Sequence, residues 1–528
     1  MTDDSFYQRH RLDFIHRHRI DVSFRRRVAA ELWTAAAALF AAAVAVRWAV
    51  TDALDPLLVV VMAVVVVGCV AALRRPAPAP HAHGLPGVPD GPCPPPPPPE
   101  LGPWVIGSRF AGPLALVTFA TGAPWWVVLV PTIAALVLSG RVVVFALGVR
   151  RRTQAIARAL AAHEPRFAIA YAGYGGGPTH LTMWEEPLLS AGFPGVVFNY
   201  RSIYCEYLQE NTDLSSPFVQ LSDDAIRDLQ ILVVPTLRWF FYLHNAKSNL
   251  RYMAMRQVKH VWLGHGDSDK PASVFARHAD YDILVVSGTA AIDRYEAAGV
   301  HIPREKFAIL GRPQVQEILP ATRPIREIER PVVLYAPTWQ GKRKEVNFSS
   351  LRRGPHIVRL LIASGADVIF RPHPLSKRYP PLAKIVQRIE GILHADDDRV
   401  DTPGHHVWGD RANVEWTVNE CMNHADALVS DVSSVVSDWL QSGKPYAMVS
   451  TRWTVEEFRD RFPVAHGAYI LLRDLDGADA VLADMLGEDS LAPVRDALRL
   501  SVLGGFSGRE SADAFAAYFH DRFAGVSS

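Results

Sequence analysis

The sequence predicts an α/β protein in which a pair of doubly wound, Rossmann-type domains follows an α-helical transmembrane region. Three observations predict it. Long aliphatic runs with few charges are confined to residues 28–148. From Arg166 onward, short β-branched runs alternate with helical patterns, the rhythm of a parallel sheet covered on both faces. After a charged, proline-containing link from Pro320 to Pro331, that rhythm starts again.

The membrane region comes first along the chain. Residues 1–27 are rich in Arg and His and read as a basic cytoplasmic N-terminus, with no signal peptide expected. Residues 28–75 hold two apolar runs, Leu32 to Val46 and Pro56 to Leu73, each approaching the ~20 residues of a spanning helix, and form a first hairpin. Residues 76–103 are proline-rich, with a continuous proline run from Pro94 to Pro99, and are expected to be a polyproline II spacer that builds no core. Residues 104–152 hold a second hairpin. Its run Ala123 to Gly140 opens with Trp125-Trp126 as an interfacial anchor, and its shorter stretch Phe110 to Thr121 fits a tilted span, a re-entrant segment or an apolar surface helix.

Basic residues give the expected orientation. Arg25 to Arg27, Arg74-Arg75 and Arg150 to Arg152 flank these runs, and Lys/Arg clusters stay on the cytoplasmic side. An even number of spans, four, is therefore expected in the cell membrane, with the remaining chain in the cytosol. Cys69, Cys93, Cys205 and Cys421 lie far apart without C-x-x-C spacing, which reads as idle thiols in a reducing compartment.

The rest of the 528-residue chain exceeds one core, since domains run to ~100–200 residues. Residues 165–318 form the first expected domain, with candidate strands at Phe167–Tyr171, Val196–Phe198, Ile231–Val234, Val258–Leu263, Ile283–Val286 and Phe307–Leu310. Residues 330–505 form the second, with strands at Val332–Tyr335, Val368–Phe370, Ala427–Val429 and Ala447–Val449. Residues 506–528 supply a C-terminal helix that, after Gly504-Gly505, is expected to pack across both. Lys+Arg 55 against Asp+Glu 54 gives a net charge of +1, so no global field points to nucleic acid. Two facing domains of this kind bind ligands in the cleft at the C-terminal ends of strands.

Four segments at such strand ends carry the chemistry. Leu263-Gly264-His265-Gly266-Asp267 leaves a strand as a loop in which glycines open backbone N–H groups to an anion beside an imidazole. Arg371-Pro372-His373-Pro374 is a rigid turn presenting a guanidinium and an imidazole. Ser430-Asp431-Val432-Ser433-Ser434 joins a strand to a helix start, which suits a phosphate, although capping alone explains serine there. Tyr335-Ala336-Pro337-Thr338-Trp339 leads into the basic loop Gly341-Lys342-Arg343-Lys344.

With Gly311-Arg312-Pro313 and Asp438, these segments make the chain resemble the CDP-glycerol glycerophosphotransferase family of teichoic-acid primases and polymerases, in the family's order over about residues 165–475. The resemblance implies a GT-B-like pair of domains and metal-independent transfer of glycerol or ribitol phosphate. The donor would be CDP-glycerol or CDP-ribitol, the acceptor a lipid-linked glycan or polyol phosphate at the membrane, and the by-product CMP. No cofactor and no metal is then required. It makes His265 the base that deprotonates the acceptor hydroxyl and His373 a phosphate-contacting residue, with Gly266, Arg312, Thr338, Arg371, Ser430, Asp431, Ser433 and Ser434 around the donor. A positioned base contributes ~10²–10⁴ in rate. The family usually has Thr-Pro-Leu after its His-Gly, whereas this chain has Asp267, Ser268 and Asp269. Asp267 then either orients His265, as a triad carboxylate does, or marks a different donor or acceptor.

Blander readings stand beside these. Gly175 and Gly176 either hold an acceptor phosphate or make a tight strand-to-helix turn, and Lys342 and Arg343 either clamp anionic lipid or polymer or form a solvated turn. His405-His406 and Asp396 to Asp398 read as solvent-exposed loop rather than metal ligands. Trp184-Glu185-Glu186 and His244-Asn245 either touch the acceptor or pack. Two rival functions remain: a GT-B glycosyltransferase using a nucleotide sugar, and a non-catalytic membrane scaffold for envelope-polymer assembly.

Overall fold

The computed structural model describes residues 31–72, 79–91, 102–171, 177–200, 205–222, 224–266, 274–340, 347–399 and 404–525. Asp267, Gly175, Gly176, Lys342 and Arg343 lie outside them. The chain divides into two compact units, Met1–Glu185 with Phe193–His260, and Glu186–Gly192 with Val261–Ser528.

The first unit opens with four helices, α1 (Glu31–Thr51), α2 (Pro56–Ala72), α3 (Gly102–Ala120) and α4 (Trp125–His163). Two of them, α1 and α4, are long and apolar enough to cross a membrane by length and composition. The helices pack around Met62, Val65, Ala115, Phe119, Val128 and Ala135. Leu57, Val64, Phe110, Val117, Val130 and Val137 point outward, an apolar exterior that a water-soluble bundle avoids. The stretch from Phe110 belongs to a 19-residue helix with Pro113 inside it. The run from Ala123 becomes a 39-residue helix that carries Arg150 to Arg152 within it and spans about 58 Å at ~1.5 Å per residue. Glu164 ends that helix in the left-handed region, donating its N–H to Leu160 O.

A sheet follows, built from β1 (His81–His83), β2 (Phe167–Tyr171), β3 (Gly195–Asn199), β4 (Phe218–Gln220), β5 (Trp239–Tyr242) and β6 (Lys259–Trp262), in the order β1-β4-β3-β2-β5-β6. The β4-β3-β2-β5 ladder is parallel, and β1 is antiparallel to β4 with His81 opposite Gln220. Two expectations are corrected here. The proline-rich segment is not a spacer throughout: His81–His83 forms an edge strand, with Ala82 and Leu85 buried, because its three residues carry no proline and keep their ladder N–H groups. Ile231–Val234 is not a strand, because Ile231 and Leu232 complete the helix Ala225–Leu232, whose buried positions Ala225, Asp228, Leu229 and Leu232 follow helical spacing.

In the second unit, the last residues of β6 pair in parallel with β7 (Ile283–Val286), and β7 with β8 (Phe307–Ile309). A separate parallel sheet comprises β9 (Val332–Ala336), β10 (Asp367–Phe370), β11 (Ala427–Ser430), β12 (Tyr446–Ser450) and β13 (Tyr469–Leu472), ordered β10-β9-β11-β12-β13. Apolar clusters cover both faces, one around Trp439, Tyr446 and Met448 and the other around Ile357, Leu361 and Ile389. The C-terminal helix Glu510–Ala524 is tied down by Ser511 Oγ, which donates to Leu310 O, and by His520 Nδ1, 2.9 Å from Ala191 O.

Two local expectations also change. His406 is buried rather than exposed: its Nδ1 accepts from Val368 N at 2.9 Å and its Nε2 lies 3.2 Å from Asp396 Oδ2, so imidazole and carboxylate satisfy one another inside the fold. Cys69 and Cys421 are free thiols, whereas Cys205 is disulfide-bonded, since distance along the chain says nothing about closeness in space. The inference of a reducing compartment from cysteine spacing loses its basis.

Candidate active site

Because β9, β10 and β11 run parallel as neighbours, their C-terminal ends open on one edge of the sheet. From β9 leaves Pro337-Thr338-Trp339, from β10 Arg371-Pro372-His373, and from β11 Asp431-Val432-Ser433. The loop after β6 belongs to the same unit. There Gly264 takes φ of 71°, the left-handed region open to glycine, and turns the chain beside the Trp262 indole towards an exposed His265. A Cβ at Gly266 would lie 3.3 Å from both Cβ and Oγ of Ser434. The His265 loop and the start of the helix Ser434–Trp439 therefore meet.

His373 is fixed from three directions. Pro372 and Pro374 stiffen its backbone, its N–H donates to Pro337 O at 3.2 Å, and its ring lies 6.3 Å from that of Trp339. Its Nδ1 accepts from Leu375 N at 3.2 Å as the cap of the helix Pro374–Arg378. A nitrogen that accepts carries no proton, so in His373 the proton resides on Nε2.

Several expected ligand groups are engaged within the fold. Asp431 is fully buried, and its carboxylate accepts from Thr338 N at 2.8 Å and Ser350 N at 3.1 Å. Ser430 Oγ donates to Ala336 O at 2.7 Å, stitching β11 to β9. Thr338 is itself buried, and its carbonyl accepts from Ser349 Oγ at 2.6 Å. Arg312 is buried in an ion pair with Asp438, with Nη2 3.2 Å from Oδ2, which links the Gly311-Arg312-Pro313 turn to the helix Ser434–Trp439. Arg371 Nη1 donates to the carbonyls of Ala412 and, at 2.8 Å, Trp416, and burial pushes the adjacent Cys421 thiol up despite that cation. Ser433 Oγ accepts from Val435 N at 3.2 Å as an N-cap. The sequence reading missed Ser349 and Ser350, which no motif flags.

It also missed the support beneath the His265 loop. The Trp262 indole stacks on His278 with centroids 4.2 Å apart, and His278 Nδ1 lies 2.5 Å from the Tyr295 hydroxyl. Burial, with a lesser push from Arg277, holds the His278 pKa down to about 3, so this ring is neutral near neutral pH. In the first unit, the residues weighed as acceptor contacts are built into packing. Glu185 is buried and accepts from Ser215 N and Ser216 N at 3.2 and 2.7 Å, while buried His244 shares a 2.9 Å contact with His180.

Comparison with known proteins bears on this arrangement. Residues 199–461 match the family described as CDP-glycerol:poly(glycerophosphate) glycerophosphotransferase. No curated protein sequence matches the chain. Among solved structures, the chain is similar to the wall teichoic acid polymerase TagF, at 10% identity, a TM-score of 0.43, and coverage of 72% of this chain and 96% of that one. It is also similar to a UDP-forming trehalose-phosphate synthase from Burkholderia xenovorans, at 13% identity, a TM-score of 0.39, and coverage of 69% and 100%. With the match running from β3 through the site loops to the helix after β12, the chain belongs to the CDP-glycerol glycerophosphotransferase family and is an enzyme of that class.

Proposed function

We propose that this enzyme is a membrane-anchored transferase that moves a polyol phosphate, glycerol or ribitol phosphate, from a CDP-activated donor to a teichoic-acid-like envelope polymer and releases CMP. His265 takes the proton of the acceptor hydroxyl, oriented by Asp267. The hydroxyl oxygen then bonds to the donor phosphorus next to the polyol as the phosphoanhydride bond to CMP breaks. His373, with its proton on Nε2, donates to the phosphate oxygens and stabilises the charge gathering on CMP. Gly266, Ser433, Ser434 and Arg371 face the donor. Arg312, Thr338, Ser430 and Asp431 act by holding the loops in place. Gly175, Gly176, Lys342 and Arg343 serve the acceptor, and the chemistry runs without a metal.

The observation that supports this reading best is the meeting of Gly266 with Ser434, which brings the loop of the proposed base to the loops of the donor edge within one unit. We propose further that α1 to α4 span the cell membrane and that both α/β parts lie on its cytoplasmic side. The outward-facing Leu, Val and Phe of α2 to α4 support the first point. The test is incubation of the purified protein with CDP-glycerol or CDP-ribitol and a lipid-linked acceptor. CMP release is expected, and release unchanged by His265→Ala would remove that residue from the mechanism.

A further inference from the structure

We infer that the C-terminal rim of the first unit's sheet faces the bilayer and receives an acceptor anchored there, a lipid phosphate with a hydroxyl-bearing head, whose phosphate seats on Arg251. The inference rests on the membrane and transfer readings above and names the class of acceptor.

The direction of the sheet follows from what α4 touches. At its far end, His163 Nε2 lies 3.1 Å from the carbonyl of Gly195, the first residue of β3. Arg166 N donates to Pro194 O at 2.9 Å and Arg238 N to Arg166 O at 3.1 Å, so the starts of β2, β3 and β5 gather beside the end of α4. Val149, Thr153, Ile156 and Leu160 are buried at helical spacing, a stripe by which α4 lies along the fold. Its neighbour there is the helix Ala225–Leu232, which leads from the end of β4 back to the start of β5. Lying beside that helix and ending at the strand starts, α4 comes in from the side of the strand ends. The edge strand agrees: the chain that leaves α2 at Ala72 meets the sheet at His81, opposite Gln220, the last residue of β4.

Height follows from length. Arg150 to Arg152 mark the cytoplasmic headgroups, since basic clusters stay on that side. From Arg150 to His163 α4 climbs about 20 Å, and β2 returns by about 13 Å. The strand ends therefore stand within roughly 10 Å of the headgroup level. A head borne directly on a lipid reaches that depth, whereas the far end of a long polymer reaches it only by folding back.

The neighbouring strands β3, β2 and β5 bring polar groups to this rim. The Arg251 guanidinium sits 4.2 Å from the ring centroid of Tyr200, which follows β3. Its helix, Asn249–Tyr252, is tied to the loop after β5 by Asn249 Nδ2, which donates to His244 O at 2.6 Å. The guanidinium thus reaches from β5 to β3 across the end of β2. His244 follows β5 and His180 lies in the first turn of the helix after β2, with ring nitrogens 2.9 Å apart. A stacked planar fork binds a phosphate through paired N–H groups, and imidazoles bond hydroxyls.

The test uses the full chain in phosphatidylcholine vesicles. A fluorescent coumarin amino acid is placed at exposed Lys247, beyond the end of β5, or at exposed Arg238, before its start, and is quenched by a lipid spin-labelled on its headgroup. Quenching at Lys247 should exceed that at Arg238 severalfold, and equal or reversed quenching would overturn the orientation. CMP release is then followed with a glycerol phosphate acceptor fixed directly to a dialkyl anchor, the same acceptor on a long polyethylene glycol spacer, and the same head without an anchor. The direct acceptor should give a kcat/KM about tenfold above the spaced one at equal surface density, because the local concentration of the head falls with tether length. Equal use of all three would sink this inference and leave the transfer reading standing. An ether in place of the acceptor phosphate should raise the acceptor KM roughly tenfold in wild type, the strength of a charged hydrogen bond, and leave it unchanged in Arg251→Gln. The donor KM should be the same in both proteins. An ether acceptor that wild type uses as well as the phosphate, or that Arg251→Gln disfavours equally, removes Arg251 from the acceptor. Extraction of the chain by alkaline carbonate sinks the membrane anchoring and this inference with it, whereas an integral chain that releases no CMP with any acceptor sinks the transfer reading and the acceptor named here.

Discussion

The Leu375 amide donates to Nδ1 of His373 at 3.2 Å, so the imidazole proposed to meet the donor phosphate is also the cap of the helix that follows it. One ring nitrogen is spent on the backbone and the other is left to carry the proton. The two roles separate by substitution. In His373→Asn a short oxygen still accepts from Leu375 N, while the reach of Nε2 is lost. Such a variant should melt close to wild type yet release CMP ~10²–10³-fold more slowly, the loss typical of a missing transition-state donor. His373→Ala should lose the same activity and also ~1 kcal/mol of stability with the cap. Full activity in the Asn variant would show that Nε2 does nothing.

Arg312 and Asp438, 126 positions apart in sequence, make a pair that is almost fully enclosed on the arginine side. Breaking one partner leaves the other charge buried, at ~3–5 kcal/mol. Arg312→Leu should therefore unfold at much lower urea, and Arg312→Leu with Asp438→Leu should recover most of that loss. If Arg312 instead bound the donor directly, the single variant would keep its stability and lose only affinity for CDP-glycerol. Urea unfolding alongside the donor KM discriminates between these outcomes.

Asp431 is the third buried charge at this edge, with Thr338 N and Ser350 N on its carboxylate. Asp431→Ala strands two buried donors at ~1–3 kcal/mol each. The loss should appear as a lower unfolding midpoint together with a raised donor KM, since the Thr338 loop shares the edge with His373. A raised KM at wild-type stability would contradict the positioning role and return Asp431 to direct contact with substrate.

These pairs mark the limit of what the sequence made legible. Strands such as Ile283–Val286 and Val332–Ala336 were readable because a strand buried on both faces is a short unbroken β-branched run. Short or aromatic strands escaped: Phe218–Gln220 has only 3 residues, and Trp239–Tyr242 is the aromatic run WFFY. Ile231–Val234 misled for the opposite reason, an apolar run at the end of an amphipathic helix. At the site, motif order put Thr338, Arg371, His373 and Asp431 at strand ends. It did not reveal that Asp431 faces inward, because its partners Thr338 and Ser350 lie 93 and 81 positions away and carry no signal of their own.

His278, stacked on Trp262 beneath the His265 loop, links stability to pH. Its folded-state pKa is depressed from an ordinary 6.5 to about 3, chiefly by burial, so the unfolded chain binds a proton more readily between those values. Stability from this group is therefore fully present above pH 6.5 and falls progressively as the pH drops towards 3. His278→Phe keeps an aromatic ring against the indole but cannot take a proton. Its melting temperature should decline less than that of wild type over this window, although loss of the Tyr295 contact lowers it at neutral pH. The acidic limb of the CMP-release profile should stay where it is, because His278 is already neutral wherever the enzyme works. Parallel melting curves for the two proteins from neutral to acid pH would contradict the assignment, and a shifted acidic limb would mean that His278 shares in the chemistry of the loop above it.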